Sequence, residues 1–219
     1  MNTKKSKIKR VPRRAVYDIE KIYALLDKEI LCHVAFVYEN YPVVIPMLYG
    51  RNDDYLYIHG ASVSRMITQL EKGINVCVSI ANVNALVLAR SAFHHSVNYE
   101  SVVIYGRGEW VAESEKEKAL QVISDHVIPG RWGEVRPPNE KEMKATKVIK
   151  IHIDKASAKI RTGPPEDEKL DRNLPIWAGL VPLIKQYGMP INDDLTDEIT
   201  PVSNSVANLL QQNKSEQQG

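Results

Sequence analysis

The order of elements read along the chain predicts an α+β protein, mainly β, built as an antiparallel barrel with flanking helices. Three observations carry this. At least six short runs are rich in β-branched residues or alternate apolar with polar, which is how strands read. The helical stretches between them are few, and the order (helix, three strands, helix, several strands, helices, closing strands) lacks the regular strand–helix alternation of a parallel sheet. The 219 residues, 43% hydrophobic and 26% charged, are enough for one good-sized core, and closing many antiparallel strands into a barrel removes their exposed edges.

Each element has its own reason. Asp18 stands as an N-cap before Ile19, Ile22, Tyr23, Leu25 and Leu26 at helical spacing, and this helix is expected to end near Glu29. LCHVAFV (31–37) is a strand, Glu39-Asn40 a turn, and YPVVIPMLYG (41–50) a second strand. Pro46 inside it cannot donate to a ladder, so it marks an edge, a bulge or a place where a ligand replaces a neighbour. Asn52-Asp53-Asp54 turns the chain into YLYIH (55–59), making a hairpin. A helix from about Ser64 to Lys72 stops at Gly73. NVCVSIA and ALVLAR read as two strands, SAFHHSVNY as a loop or bulge, and SVVIYGRGEWVAE as a long strand bent at its glycines. Ser114 with Glu117 predicts a capping box for a helix over 115–127, stopped by Pro129-Gly130, and Asn139 with Glu142 a second short helix. KVIKIHIDKASAKIRTG supplies one or two closing strands. From Gly163 onward an irregular segment with a short helix near 177–187 is expected, and disorder over 200–219. The organisation is thus a basic arm (1–14), one domain (15–187) and a C-terminal extension (188–219).

A formal net charge of +2 argues against a dedicated nucleic-acid binder. The charge is uneven, since Lys4, Lys5, Lys7, Lys9, Arg10, Arg13 and Arg14 crowd the N-terminus with no acid and no aromatic among them. That reads as a solvated arm. Cys32 and Cys77 lie in apolar strands without metal spacing, as buried thiols of a reducing compartment do. The chain shows neither a signal-peptide pattern nor an apolar run long enough to span a membrane, so a cytoplasmic protein is expected.

The stretch YIHGASVSRMITQL (57–70) carries the most chemistry. A strand runs through a glycine turn into a helix start bearing Ser62, Ser64 and Arg65. Free N–H groups, hydroxyls and a guanidinium converge there, an arrangement suited to a phosphate. The alternative is an ordinary N-cap followed by an exposed arginine. His59, at the end of the strand, is either a half-buried strand histidine or a ligand contact. His94-His95 is not read as a metal site, because adjacent strand residues face opposite ways and no carboxylate has the spacing of a third ligand. Gly106-x-Gly108 lacks a third glycine and reads as a barrel corner. No G-x-S-x-G elbow accompanies Ser96, which removes acyl-transfer chemistry. Trp110 and Trp132 read as core or interface aromatics.

VVIPMLYG, LYIHGASVSR, LVLARSAFHHSVNYESVVIYGRG, VIPGRW, AKIRTGPPEDE and LPIWAGLVPL, in that order over residues 12 to 187, resemble the flavin-nucleotide-binding branch of the pyridoxamine 5′-phosphate oxidase-like proteins. Nitroimidazole-resistance proteins are similar. The resemblance implies an antiparallel split β-barrel, a homodimer, and FMN in a groove between subunits, with FAD as the alternative flavin. It implies that Ser64 and Arg65 hold the flavin phosphate, with Met66 where the oxidases carry a lysine. It further implies that the backbone at Ile45, Pro46 and Met47 meets the ring edge, that Asn98, Tyr99 and Ser101 supply polar contacts, that His59, His95 and Tyr99 line the space above the ring, and that Trp177 approaches the flavin from the partner subunit. LPIWAGLVPL lacks the arginine with which the oxidases grip substrate phosphate, so their own reaction is not expected. The function expected is an FMN-dependent oxidoreductase acting on a small molecule, with a reduced nicotinamide as electron donor. The alternatives are a flavin- or haem-binding protein without turnover, and a nucleic-acid-associated protein using the basic arm.

Overall fold

The computed structural model describes residues 6–153, 155–197 and 199–215, with only the backbone of 212–215. Arg13, in a short 3₁₀ turn, pairs with Glu166, which ties the described end of the basic arm to the body. β1 (Ala15–Val16) leads to α1 (Ile19–Asp27), capped by the Asp18 carboxylate on Lys21 N–H. β2 (Leu31–Tyr38) and β3 (Tyr41–Leu48) form a hairpin, followed by β4 (Gly50–Asn52) and β5 (Tyr55–Ala61). α2 (Arg65–Leu70) follows, then β6 (Asn75–Leu88) and β7 (Ser96–Trp110). α3 (Glu113–Val127) and α4 (Glu140–Ala145) precede β8 (Thr146–His152) and β9 (Ala156–Arg161). β10 (Gly179–Pro182) and α5 (Asn204–Ser215) end the description.

The ten strands form one antiparallel sheet with the path β3-β2-β6-β7-β8-β5-β4, while β9 and β1 continue from β7 and β10 adds to β6. This is the expected α+β split barrel. β7 creates the bend by changing partners: it pairs with β9 over Tyr99–Ile104 and with β8 over Gly108–Trp110. The two glycines at this corner are required by close approach. A Cβ on Gly106 would lie 2.9 Å from the Ile151 side chain, and one on Gly108 would lie 2.6 Å from the Leu70 carbonyl oxygen. The second contact seats α2 directly on β7.

Inside the barrel, Ile22 and Leu26 of α1 meet Val34, Ile58, Ile67, Val78, Ile104 and Ile151, all essentially inaccessible. A smaller cluster of Val111, Ala119, Ile123 and Val148 fastens α3 to the outside of β5 and β8. Cys32 is buried in the core and its thiol is pushed up to about 12 by desolvation, which makes it inert. Cys77 is half-buried.

Several local expectations are corrected. β6 is one strand, not two: the Asn82–Asn84 break is a register shift, closed by Asn82 Nδ2 donating to Asn84 Oδ1 at 2.8 Å. The hairpin partner of 55–59 is the separate strand β4, because the chain breaks at buried Tyr49 after β3. α3 starts at Glu113 after Ala112, so Ser114 lies inside the first turn and forms no capping box. Glu113 and Glu115 complement the positive helix end instead. The expected box at Asn139 and Glu142 is present. Residues 179–182 form a strand rather than a helix, since the far end of β6 offers an unpaired edge at Ala85–Leu88. Asn204–Ser215, within the stretch expected to be disordered, is helical.

Candidate functional site

α2 is capped by Ser64, whose Oγ accepts from Ile67 N–H at 3.3 Å. The N–H groups of Arg65 and Met66, in the first turn, have no intrahelical acceptor. The Ser64 hydroxyl proton remains available as a donor. Arg65 is exposed, with its guanidinium carbon 5.4 Å from the centre of the Tyr38 ring. The helix start thus carries two N–H groups without intrahelical acceptors, a hydroxyl and a cation, and the cation reaches the tip of the β2–β3 hairpin. The cap and the anion-binding geometry coexist at one serine.

His59 sits beside this corner on β5, opposite Val148. Its Nδ1 is buried without a hydrogen-bond partner among the described residues. Burial lowers its pKa below the ordinary histidine value, which keeps the ring neutral. Gly60 makes room next to it, since a Cβ there would meet the Ile67 side chain at 3.0 Å and Ser64 Oγ at 3.6 Å. Gly60 and α2 thus pack on the core side of β5, while His59, one residue earlier, turns to the opposite face with Val148, so its orphaned nitrogen lies across the sheet from the first turn of α2.

β3 is an edge strand. Its hairpin turns on Glu39 and Asn40, both left-handed at φ 48° and 66°, and closes on the pair Tyr38 and Tyr41. A two-residue turn of this kind closes on a hydrogen-bonded pair, and bonded pairs then alternate. Tyr49 N–H donating to Ile30 O at 3.3 Å keeps the same alternation. Ile45 and Met47 accordingly spend their backbone groups on β2 and turn their side chains to the core. Pro42, Val44, Pro46 and Leu48 turn their backbone groups to the free edge. Of the three residues expected to meet a flavin ring edge by their backbone, only Pro46 faces that edge, and only with a carbonyl. The N–H donors of the edge are Val44, within the segment 44–47 that the resemblance sets against the ring, and Leu48, which sequence reading missed. The parity of the two prolines, both placed where no ladder bond is needed, is the signal that could have found them.

The remaining candidates gather at the other end of β7. Asn98 is buried and committed: its Nδ2 donates to Gly163 O at 3.2 Å and its Oδ1 accepts from buried Arg161. It is a structural residue within this chain. Tyr99 lies half-buried opposite Val83 and Arg161, and Ser101 Oγ donates to Lys159 O at 3.3 Å. His95 is exposed, with Nδ1 accepting from Ala89 N–H at 3.0 Å, so in the neutral ring the proton sits on Nε2. Trp177 is exposed and folds its indole over Gly179. β7 separates the two groups: Leu70 of α2 touches it at Gly108, ten residues from Asn98, a strand length of up to about 33 Å. Within one chain the structure does not bring His95, Asn98 and Trp177 to Ser64 and Arg65.

The sequence pattern of the family described as pyridoxamine 5′-phosphate oxidase matches residues 18–160. The chain belongs to the pyridoxamine 5′-phosphate oxidase family. Among solved structures, the flavocytochrome Anf3 from Azotobacter vinelandii is 35% identical with a TM-score of 0.89, covering 94% of this chain and 97% of its own. The FAD and haem binding protein from Mycobacterium smegmatis is also 35% identical, with a TM-score of 0.87 over 90% of this chain and 97% of its own. A protein assigned to 5-nitroimidazole antibiotic resistance, from Bacteroides thetaiotaomicron, shares the fold at 24% identity and a TM-score of 0.57, over 67% of this chain and 86% of its own. A comparison with curated protein sequences found no match.

Seen as a pyridoxamine 5′-phosphate oxidase family member, this chain departs from the Ser-Arg-Lys run at Met66, and the structure supplies the reason. Met66 is buried against the barrel core, so its side chain works in packing and only its N–H faces the helix start. Among the described residues no cluster of histidine, cysteine and carboxylate side chains could hold a metal ion, and no helix is long and apolar enough to cross a membrane.

Proposed function

We propose that this pyridoxamine 5′-phosphate oxidase family member is a flavin-binding redox protein whose site is completed by a second copy of the chain. The observation that carries the reading is the corner at α2. Two N–H groups without intrahelical acceptors, the Ser64 hydroxyl and the Arg65 guanidinium offer a place for one phosphate. The free edge of β3 fits the rest of a flavin, since Val44 and Leu48 donate and the neighbouring carbonyls accept, as a ring with both kinds of polar atom requires. A bound flavin supplies the electron transfer. The protein's part is to fix the phosphate, align the ring along β3 and hold His59 neutral.

FAD is favoured over the FMN implied by the oxidases, because the two relatives at 35% identity are described as an FAD and haem binding protein and as a flavocytochrome. Both flavins share the phosphate that α2 suits. The same likeness favours a second reading, in which haem is bound as well. His95 does not suit an iron as it stands, because a ligating imidazole donates its second N–H whereas His95 Nδ1 accepts one. In the proposal the electron donor is a reduced nicotinamide and the acceptor a small molecule.

The deciding experiment is the visible spectrum of the purified protein, with mass identification of whatever acid releases. Flavin bands and released FAD are expected, and a Soret band establishes the haem. Colourless protein that quenches no flavin fluorescence on titration with FAD or FMN overturns the proposal.

A further inference from the structure

The chain after β10 is held at both ends, and large aliphatic side chains between them are exposed. At its start Leu183 N–H donates to Asn84 O at 2.9 Å and Lys185 pairs with Glu29 at 2.9 Å. At its end Arg131 donates to Ser203 Oγ at 2.8 Å, and Ser205 N–H donates to Glu134 at 3.0 Å. Between these anchors Met189 is 85% exposed, Ile191 95%, Leu195 93% and Ile199 91%. Four large aliphatic side chains in water on one anchored segment are not what an isolated chain keeps. The segment also carries Asp193, Asp194 and Asp197, and Asp193 is used locally to turn the chain, accepting from Leu195 N–H and Thr196 Oγ1. The likeness to the flavocytochrome covers 94% of this chain, so it reaches well into this segment and past residue 160, where the family pattern stops.

We propose that residues 183–203 form a strap laid across a second copy of this chain. The occupant follows from what the same chain exposes elsewhere. The outward face of β2, β3 and β6 presents Leu31, Val37, Val44, Leu48, Val83 and Leu86, each more than a third exposed, around the free edge described above. At the far side of that sheet, before β1, stands the basic segment with Lys7, Lys9 and Arg10. The chain thus offers an apolar field at one end of the sheet and exposed cations beside the other, and the strap offers aliphatic side chains interspersed with carboxylates. The reach is sufficient: the field of three strands, β3, β2 and β6, is about 10 Å wide, and eleven extended residues from 189 to 199 span up to about 36 Å. The inference rests on the two-copy reading of the flavin site and adds which segment holds the copies together.

The test is sedimentation velocity on the full chain over a dilution series, wild type against Ile191→Asp/Leu195→Asp. Dimeric wild type and a variant with unchanged far-ultraviolet spectrum whose dimer is weaker by about tenfold or more are expected, as when two apolar anchors are lost from an interface. A variant dimerising as well as wild type overturns the strap while leaving the flavin reading intact. Wild type that stays monomeric at every concentration overturns both. Amide exchange on the unmodified protein covers the case of a misfolded variant: protection of 189–199 must rise with dimer population, and concentration-independent exchange overturns the proposal.

Discussion

Arg65→Ala separates phosphate recognition from everything else at the site. The guanidinium is exposed, and its one described neighbour is the Tyr38 ring at 5.4 Å. Its removal therefore costs the fold no more than an exposed cation–π contact, about 0.5–1 kcal/mol. Toward a flavin phosphate it removes a hydrogen bond to a charged group, about 1.5–3 kcal/mol, which is about 10- to 150-fold in affinity. The assay is quenching of flavin fluorescence on titration with FAD, FMN and riboflavin. Riboflavin has the ring but no phosphate, so its affinity should be unchanged by the substitution while both nucleotides weaken. Equal losses for all three would mean that Arg65 acts through the ring site or through folding. Unchanged affinity for the nucleotides would remove the residue from the site altogether.

Other outcomes follow from the same geometry. His59 is held neutral by burial, so between its lowered folded value and the ordinary value near 6.5 the unfolded chain binds the extra proton. Stability must fall as pH drops through that window. Urea midpoints at neutral and mildly acid pH should show a smaller fall for His59→Gln than for wild type, and identical slopes would contradict the burial argument. Asn98→Leu strips a partner from the buried Arg161 guanidinium, whose Nε already lacks one, and should cost about 1–3 kcal/mol in urea unfolding. Gly108→Ala drives a methyl into the Leu70 carbonyl and should cost about 1–3 kcal/mol. Because that contact seats α2, the variant should also retain less flavin than a core variant of equal stability such as Ile123→Val. Flavin content per chain, read from the spectrum, checks it.

Local rules were legible where a residue's role depends on its immediate neighbours. The caps at Asp18, Ser64 and Asn139, the left-handed turn at Glu39-Asn40 and the glycine corner at 106–108 all follow from steric and hydrogen-bond demands within a few residues. Reading failed where a distant partner decides. The β10 segment carries no strong strand signal and becomes one because β6 leaves an edge open there. That Asn98 binds Arg161, sixty-three residues away, is visible in no short window. That Met66 supplies no cation is plain from the sequence, but the barrel core that holds its side chain is assembled from distant strands.

By itself the sequence determined the architecture and the capped helix start at Ser64, because strand alternation, glycine turns and caps are written in short windows. Only the tertiary structure decided which backbone groups of β3 stay free, since that depends on hairpin register counted from the turn. It alone showed that the two groups of site residues lie at opposite ends of one bent strand. A distance set by strand length cannot be shortened within a single chain, and that is the physical reason the proposed site draws on a second one.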